Sequence, residues 1–369
     1  MIVGRSAELA QVDRLLDSAL GGDGGRLLVV GDPGIGKSAL LSTVANRAAR
    51  RGLLVVRVRA AEGEGDLPYA LADDLVRLLP NPSRPPARGT TTPAAELHTR
   101  LLGLAGDGPV LLVIDEAQFA DAPSVAALAV ATERAAQAPV AVLVATRPDA
   151  GVTGRLAAWP RLDLGPLGTE ASIAVLRTAL GPEHAAPALA VIATLLEGNP
   201  LALTEAPRML TRDQIAGRVP LPRTLPLTPV LDRAWGTALA TLSEGALRAL
   251  LDVAVAGPQP VVLAALAEGS GWSDADLDEA IDAGVLRETD QGVPKFVHRR
   301  VLDAVVGRSP AARVHDSHRR AAAAAVIQDL PPAVVIEHLV QSVAKVKLRH
   351  RELVLVGEED AAHGGVVGE

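Results

Sequence analysis

The first 165 residues alternate between short, continuous apolar runs and longer stretches with helical spacing. Continuous apolar runs are typical of strands buried on both faces, whereas apolar residues three and four positions apart indicate a helix packed on one side. We predict strands at 27–30, 53–58, 110–114 and 140–146. We predict helices after Ser6, which we expect to cap the first, and at 38–50, 69–79, 94–104 and 124–136. Such alternation predicts an α/β fold in which helices flank both faces of a parallel sheet.

The remainder of the chain is mostly helical in pattern and predicts three further parts. We expect an all-α lid over 166–215, a second helical domain over 216–325, and the start of a helical arm with a frayed tail over 326–369, after an N-terminal domain over 1–165. The proline-rich segment 211–229 is predicted to be a linker. Residues 275–302 predict a helix, a glycine stop and two short strands around a turn, which fits a winged-helix fold.

Composition narrows the possible partners. The net charge is −7 and aromatic residues make up 2% of the chain, which argues against nucleic acid as a partner of the whole surface. Cysteine is absent, so disulfides and thiolate metal sites are excluded. No apolar run reaches the roughly 18 residues that span a bilayer, and the N-terminus lacks the pattern of a signal peptide. We therefore expect a cytoplasmic protein without a membrane partner.

A glycine-rich segment between a predicted strand and a predicted helix carries the clearest chemistry. Residues 31–38 read GDPGIGKS and fit the phosphate-binding pattern G-x-x-x-x-G-K-S/T, whose backbone amides converge on phosphate at a helix N-terminus. Lys37 is one of only four lysines among 36 basic residues, which suggests a site that needs a slim ammonium group. The alternative is a glycine-rich turn with an incidental lysine. The predicted nucleotide-binding residues here are Gly31, Asp32, Pro33, Gly34, Ile35, Gly36, Lys37, Ser38 and Ala39. The hydroxyl of Ser38 is also predicted to bind Mg²⁺.

Polar residues end two of the predicted strands. Asp115 and Glu116 follow the run VLLVI, where Asp115 is predicted to hold Mg²⁺ through water and Glu116 to activate the attacking water. Acidic residues at such a place also cap the next helix, which is the alternative. Thr146 and Arg147 end the run VAVLVA, and Arg147 is predicted to sense the terminal phosphate; the alternative is a solvated arginine before a turn.

The ordered set IVGRSAEL, GDPGIGKS, VLLVIDEAQFAD, VLVATRPD and EGNPLAL resembles the STAND class of P-loop ATPases, in the AAA-like "ATPase domain 16" group. The nearest likeness is to the ATPase portion of LuxR-type regulators of actinobacteria, over roughly residues 1–325. The resemblance implies that Val3, Gly4 and Arg5 pack near the adenine. It also implies that the lid motif Gly198, Asn199 and Pro200 lies against the nucleotide and that His298 contacts its diphosphate.

The chain departs from that family at three places. The segment DEAQFAD has glutamate where these regulators more often have a second aspartate, and it lacks their tryptophan; glutamate serves the water-activating role at least as well. His298 precedes an arginine where these regulators usually have proline, so a surface histidine is the alternative. No C-terminal helix-turn-helix is found, so direct DNA binding is not expected. The resemblance predicts a switch controlled by ATP, ADP and Mg²⁺ that hydrolyses ATP slowly and acts on a protein effector or by self-association. The alternatives are a remodelling AAA ATPase and a truncated regulator fragment that only binds ATP.

Overall fold

A five-stranded parallel sheet forms the centre of the N-terminal half. The computed structural model describes residues 2–79, 92–148, 150–182, 184–221, 228–230, 239–289, 292–297 and 299–342. The strands of this sheet are β1 Gly25–Val30, β2 Leu54–Arg59, β3 Val110–Asp115, β4 Val140–Thr146 and β5 Arg161–Asp163. They pair in parallel in the order β2-β3-β4-β1-β5, which confirms the predicted parallel sheet.

Helices surround this sheet at the places that the hydrophobic pattern predicts, to within two residues. They are α1 Ser6–Leu20, α2 Lys37–Arg50, α3 Ala70–Leu78, α4 Pro93–Ala105, α5 Ala122–Arg134 and the short α6 Ala150–Arg155. Ser6 is the first helical residue and not the cap; Arg5 occupies the N-cap position without a capping side-chain bond. The pattern missed two short elements, α6 and β5. The strand β5 has three residues, of which only Leu162 is buried.

Alternate residues of the buried strands face opposite sides of the sheet, as strand geometry requires. β3 and β4 are buried along their whole length, which explains their unbroken apolar runs. One face packs under a core that contains Leu28, Val30, Leu112, Ile114, Val142 and Val144. The other face packs under a core that contains Leu27, Val29, Leu111, Val113, Ala141 and Leu143. The sheet is therefore held from both sides, and only its edges and strand ends remain for a site.

The second half of the chain is helical and has its own core, which runs from Leu167 to Ala325. Its helices are α7 Thr169–Leu180, α8 Ala186–Leu195, α9 Pro200–Met209, α10 Arg212–Ile215, α11 Glu244–Ala256, α12 Pro260–Ser270, α13 Asp274–Asp282, α14 Arg299–Arg308, α15 Ala311–Ile327 and α16 Pro332–Ser342. The predicted linker over 211–229 is wrong at its start, because Thr211 and Gln214 form a capping box that begins α10.

A small antiparallel hairpin follows α13. Its strands are β6 Leu286–Glu288 and β7 Pro294–Phe296, and Gly284 between α13 and β6 has a positive φ of 67°. The predicted helix, glycine stop and two strands are thus present, while the winged-helix assignment and the domain boundaries remain predictions. The predicted tail lies outside the described residues. Within the described ranges, no helix alone is long and apolar enough to span a bilayer; α8 and α9 pass that test only as a pair, with a 110° bend between them.

Candidate functional site

The loop between β1 and α2 has a backbone that requires glycine. Gly34 and Gly36 have φ angles of 75° and 104°, in the left-handed region that side chains disfavour. A Cβ added at Gly31 would lie 2.8 Å from Ile35 Cγ2 and 2.9 Å from the carbonyl oxygen of Leu164. The three glycines of the pattern therefore allow a tight loop that ends at the N-terminus of α2, where free backbone amides face outward.

Lys37, the first residue of α2, folds back over this loop. Its Nζ atom donates hydrogen bonds to the carbonyl oxygens of Gly31, at 2.6 Å, and Asp32, at 3.2 Å. Burial lowers the pKa of Lys37 to about 8; the charge of Arg147 acts in the same direction, and Glu116 and Asp115 oppose it. The ammonium group is thus buried against carbonyl dipoles, so that an anion entering the site would stabilise its charged form.

Two strand ends lie beside the loop. Asp115 ends β3 and is 9% exposed, and its Oδ1 atom accepts a hydrogen bond from the amide of Glu116 at 2.9 Å. Thr146 ends β4 between β1 and β3, and its carbonyl oxygen accepts a hydrogen bond from the amide of Gly31 at 3.3 Å. The Thr146 side chain is fully buried, and its Oγ1 atom has no hydrogen-bond partner among the described residues. Thr146 is not among the lining residues of the cavity beside this loop, so its hydroxyl lies behind the site.

The side chains of Glu116 and Arg147 each contact neighbouring side chains. Glu116 has a φ of 55°, which is uncommon for a residue with a side chain, and its carboxylate accepts a hydrogen bond from Gln118. Arg59, the last residue of β2, approaches the Glu116 carboxylate to 3.9 Å. The guanidinium of Arg147 lies 5.7 Å from the centre of the Phe119 ring, within the range of a cation–π contact.

Lys37, Glu116 and Arg147 line one cavity of about 560 Å³. The lining includes these predicted site residues: Pro33, Gly34, Gly36, Lys37, Ser38, Ala39, Glu116, Arg147 and Pro200. It also includes residues that the motif search missed: Arg59, Glu62, Phe119, Leu201, Thr204 and Val230. Arg59 ends a strand at the same edge as Asp115, so the argument used for Asp115 applies to it as well. Phe119 and Leu201 lie within the segments VLLVIDEAQFAD and EGNPLAL, close to Glu116 and Pro200, whereas Val230 reaches the cavity through the packing of a distant segment.

The remaining predicted residues that the structure describes do not line this cavity. The side chain of Arg5 is buried and donates to the carbonyl oxygens of Ile35, at 3.1 Å, and Gly165, at 2.6 Å. A Cβ added at Gly4 would lie 2.4 Å from Ala171 Cβ, so Gly4 packs closely on α7. Val3, Gly4, Arg5, Gly31, Asp32, Ile35 and Asp115 are not among the lining residues of the cavity. A place near adenine for residues 3–5 stays a prediction, and His298 lies outside the described residues.

The turn before α9 binds directly to the glycine loop. Asn199 is fully buried; its Nδ2 atom donates to the carbonyl oxygen of Pro33 at 3.0 Å. Its Oδ1 atom caps α9 by accepting from the amides of Leu201 and Ala202. The amide of Leu201 also lies 3.2 Å from the carbonyl oxygen of Gly34. Since a Cβ at Gly198 would lie 2.3 Å from the carbonyl oxygen of Leu167, glycine is required there too. The predicted lid motif therefore contacts the loop through hydrogen bonds.

Few protein groups are available to a metal ion here. Among the described residues, no group of three or more histidine and carboxylate side chains could hold one. The predicted pair of Ser38 and Asp115 is a sparse ligand set, which suits Mg²⁺ because this ion keeps several of its waters and takes further oxygens from phosphates.

Comparison with known proteins agrees with this geometry. Residues 2–144 match the family model described as AAA ATPase domain (AAA_16), so this part of the chain is similar to AAA ATPase domains. No curated protein sequence matches the chain. A likeness to LuxR-type regulators is not among these findings and stays a prediction.

Solved structures of three proteins are similar to this chain at low sequence identity. The ORC2 protein of Aeropyrum pernix, described in ADPNP and ADP complexes, is 17% identical over 83% of this chain and 96% of its own, with a TM-score of 0.52. A RuvB variant of Thermotoga maritima is 18% identical over 84% and 97% of the two chains, with a TM-score of 0.45. A STAND protein with a tetratricopeptide repeat sensor from Pyrococcus horikoshii is 14% identical over 90% and 48%, with a TM-score of 0.35. Of these three proteins, only ORC2 has a TM-score above 0.5, and at 17% identity the likeness concerns the fold alone.

Proposed function

We propose that the chain binds ATP with Mg²⁺ at the glycine loop and acts as a nucleotide-controlled switch. The observation that carries this proposal is the buried ammonium group of Lys37 at the glycine loop. Burial lowers its pKa, and its hydrogen bonds go to the carbonyl oxygens of Gly31 and Asp32. The ammonium group gains a charged partner when a phosphate chain lies on the amides of residues 34–38.

The residues present fit both the nucleotide and the ion. The glycine backbone leaves room for phosphate, Lys37 supplies positive charge, and Ser38 with Asp115 would hold Mg²⁺. Bound Mg²⁺ supplies neutralisation of the phosphate charge. Glu116 would orient and deprotonate a water, and Arg147 with Thr146 would distinguish ATP from ADP. We expect slow hydrolysis because the two arginines that line the cavity contact protein groups: Arg59 approaches the Glu116 carboxylate, and Arg147 lies over the Phe119 ring.

The lid turn supports the role of a switch. Asn199 and Leu201 bond to the carbonyl oxygens of Pro33 and Gly34, so a change in the loop would be transmitted to α9. A ligand shifts such an equilibrium only by its different affinity for the two arrangements. We propose that the helical half, including a winged-helix module, carries this change to a protein effector or to a second copy. We also propose that the chain is related to LuxR-type transcriptional regulators. The Aeropyrum pernix protein of similar fold, described with ADPNP and ADP, supports the choice of an adenine nucleotide.

The test is the thermal stability of the full chain with and without ATP–Mg²⁺. ATP at a hundredfold its dissociation constant should stabilise the fold by about 2.7 kcal/mol. Lys37→Ala and Lys37→Arg should both lose this shift, the first for lack of charge and the second because a planar guanidinium is too wide for the loop. Arg14→Ala removes an exposed positive charge from α1 and serves as the control. A wild-type melting curve that ATP does not move would overturn the proposal.

A further inference from the structure

A second cavity, of about 590 Å³, lies in the helical half beside the β6–β7 hairpin. Its walls are largely apolar and include Val253 of α11, Phe296 of β7 and Leu302 of α14. Val253 and Phe296 are otherwise buried, at 4% and 8% exposure. A cavity of this size with apolar walls falls within the range of about 300–1,000 Å³ that is usual for small-molecule sites.

The charged residues at its edge favour an anion. Arg287 and Lys295 line the cavity and lie directly opposite each other across the hairpin. Neither has an ion-pair partner among the described residues, and both are exposed. Like charges at directly opposite positions destabilise a strand pair, and an anion between them would remove that repulsion. Glu197 is the third charged residue of the lining, so the basic groups outnumber the acidic one.

The same short turn borders both cavities. Glu197 lines the hairpin cavity, while Pro200 and Leu201 line the cavity at the glycine loop. Between them, Asn199 bonds to the carbonyl oxygen of Pro33, and the carbonyl oxygen of Gly198 accepts from the amide of Leu167 at 2.9 Å. A ligand that moves Glu197 therefore moves a turn whose next residues hold the glycine loop.

We propose that the hairpin cavity binds a small amphipathic anion, whose acidic head lies between Arg287 and Lys295 and whose apolar body lies against Val253, Phe296 and Leu302. Binding itself does not depend on the proposed ATP site. The coupling of the two sites through residues 197–201 does rest on the proposed function, and it makes the anion an effector of nucleotide affinity.

Calorimetric titration of the nucleotide-free full chain with decanoate tests the binding. Decanoate should bind at one site, and 1-decanol, which has the same chain without the charge, should bind at least about tenfold more weakly. The double variant Arg287→Gln/Lys295→Gln should weaken decanoate about tenfold or more and leave decanol unchanged. Arg177→Gln, which removes an exposed charge from α7, should change neither. Both altered side chains of the double variant are exposed, so its fold should be retained, which circular dichroism can verify.

Three outcomes would overturn the binding proposal. The first is an absence of decanoate binding, the second is equal binding of decanoate and decanol, and the third is decanoate binding that the double variant leaves unchanged. Binding of a short DNA duplex that the double variant abolishes, without decanoate binding, would assign Arg287 and Lys295 to a nucleic-acid contact instead.

A second titration, of ATP–Mg²⁺ with and without saturating decanoate, tests the coupling. Decanoate should change the ATP affinity at least about fivefold, and ATP should change the decanoate affinity by the same factor. Decanoate binding without any change in ATP affinity would overturn the coupling alone. Decanoate binding by a chain that does not bind ATP would overturn the proposed function while the second site stands.

Discussion

The two cavities have nearly the same volume, 560 and 590 Å³, but their shapes have different origins. The cavity at the sheet edge is shaped by backbone, because Gly34 and Gly36 adopt angles that other residues disfavour. The cavity beside the hairpin is shaped by side chains from α11, β7 and α14 that packing brings together. The first origin leaves a contiguous motif in the sequence and the second leaves none. Experiments on Glu116, Lys37, Asn199 and His318 can test how separate the two regions are.

The largest effect is expected for Glu116→Gln, at the sheet edge. Loss of the carboxylate that orients and deprotonates water should lower ATP turnover by about 10²–10⁴-fold while ATP binding persists. Phosphate release under single-turnover conditions measures this. Glu62→Gln changes an exposed carboxylate in the lining of the same cavity and should leave turnover within about threefold, since Glu62 lies three residues beyond the end of β2 and is exposed. Equal turnover in both variants would remove Glu116 from the chemistry.

The next effect concerns the pH dependence of ATP affinity. Burial lowers the pKa of Lys37 to about 8, and only its protonated form attracts phosphate. ATP affinity should therefore be constant from about pH 7 to 8 and then fall, by up to about tenfold for each further pH unit. Fluorescent-nucleotide titrations between pH 7 and 9.5 measure this. Lys37→Ala should bind weakly at every pH in that range, and a wild-type affinity that is flat up to pH 9.5 would contradict a buried, charged Lys37 as the phosphate ligand.

Sequence reasoning succeeded where the determinants are local. The strands β3 and β4 are buried throughout and therefore appear as unbroken apolar runs, and GDPGIGKS appears as a motif because consecutive amides form the loop. Asp115, Glu116 and Arg147 could be placed because the carboxyl ends of parallel strands share one edge. In each of these cases, residues near in sequence determine the feature.

The sequence was less informative where distant segments meet. The sequence could not show that the guanidinium of Arg5 donates to the carbonyl oxygens of Ile35 and Gly165, which lie far along the chain. The strand β5 escaped detection because three residues give no periodicity. The hairpin cavity could not be predicted, since Glu197 and Arg287 become neighbours only after the helices pack. Long-range packing, and not the chemistry of the residues, set this limit.

A smaller effect is expected at the turn that joins the two regions. Asn199→Ala removes the cap of α9 and the bond to Pro33, which should cost about 0.5–2 kcal/mol of the free energy of unfolding. It should also change the ATP affinity, because the carbonyl oxygen of Pro33 loses its donor from the lid. Thr92→Ala removes the cap of α4, which has no contact with the glycine loop, and is the matched control.

Denaturant unfolding and ATP titration of these two variants separate the effect on stability from the effect on ATP affinity. Asn199→Ala should lose more stability than Thr92→Ala, because Asn199 is fully buried and makes three side-chain hydrogen bonds whereas the exposed Thr92 makes one, and only Asn199→Ala should alter ATP binding. If the two variants bind ATP equally well, the hydrogen bond between Asn199 and Pro33 does not transmit anything between the lid and the loop.

The smallest effect lies outside both cavities, where α15 packs on α16. The Nδ1 atoms of His318 and His338 are 3.1 Å apart. Burial, then the neighbouring charge of His338, lowers the pKa of His318 to about 4; Glu337 opposes this and His315 adds to it. Burial also lowers the pKa of His338. The folded pair therefore stays neutral at a pH where the unfolded chain, with histidine near 6.5, already binds protons.

The free energy of unfolding should carry no penalty from this pair above about pH 6.5. It should decrease as the pH falls toward 4, because the unfolded state takes up protons first. Since His318 is only partly buried, we expect a loss of about 1 kcal/mol between pH 7 and 5. His318→Gln should reduce that loss in urea unfolding, and His98→Gln, on α4, should not. ATP affinity at neutral pH should be the same in His318→Gln as in the wild type, because this contact borders neither cavity. An altered ATP affinity in His318→Gln would mean that α15 and α16 belong to the same cooperative unit as the glycine loop, and the two regions would then not be separable.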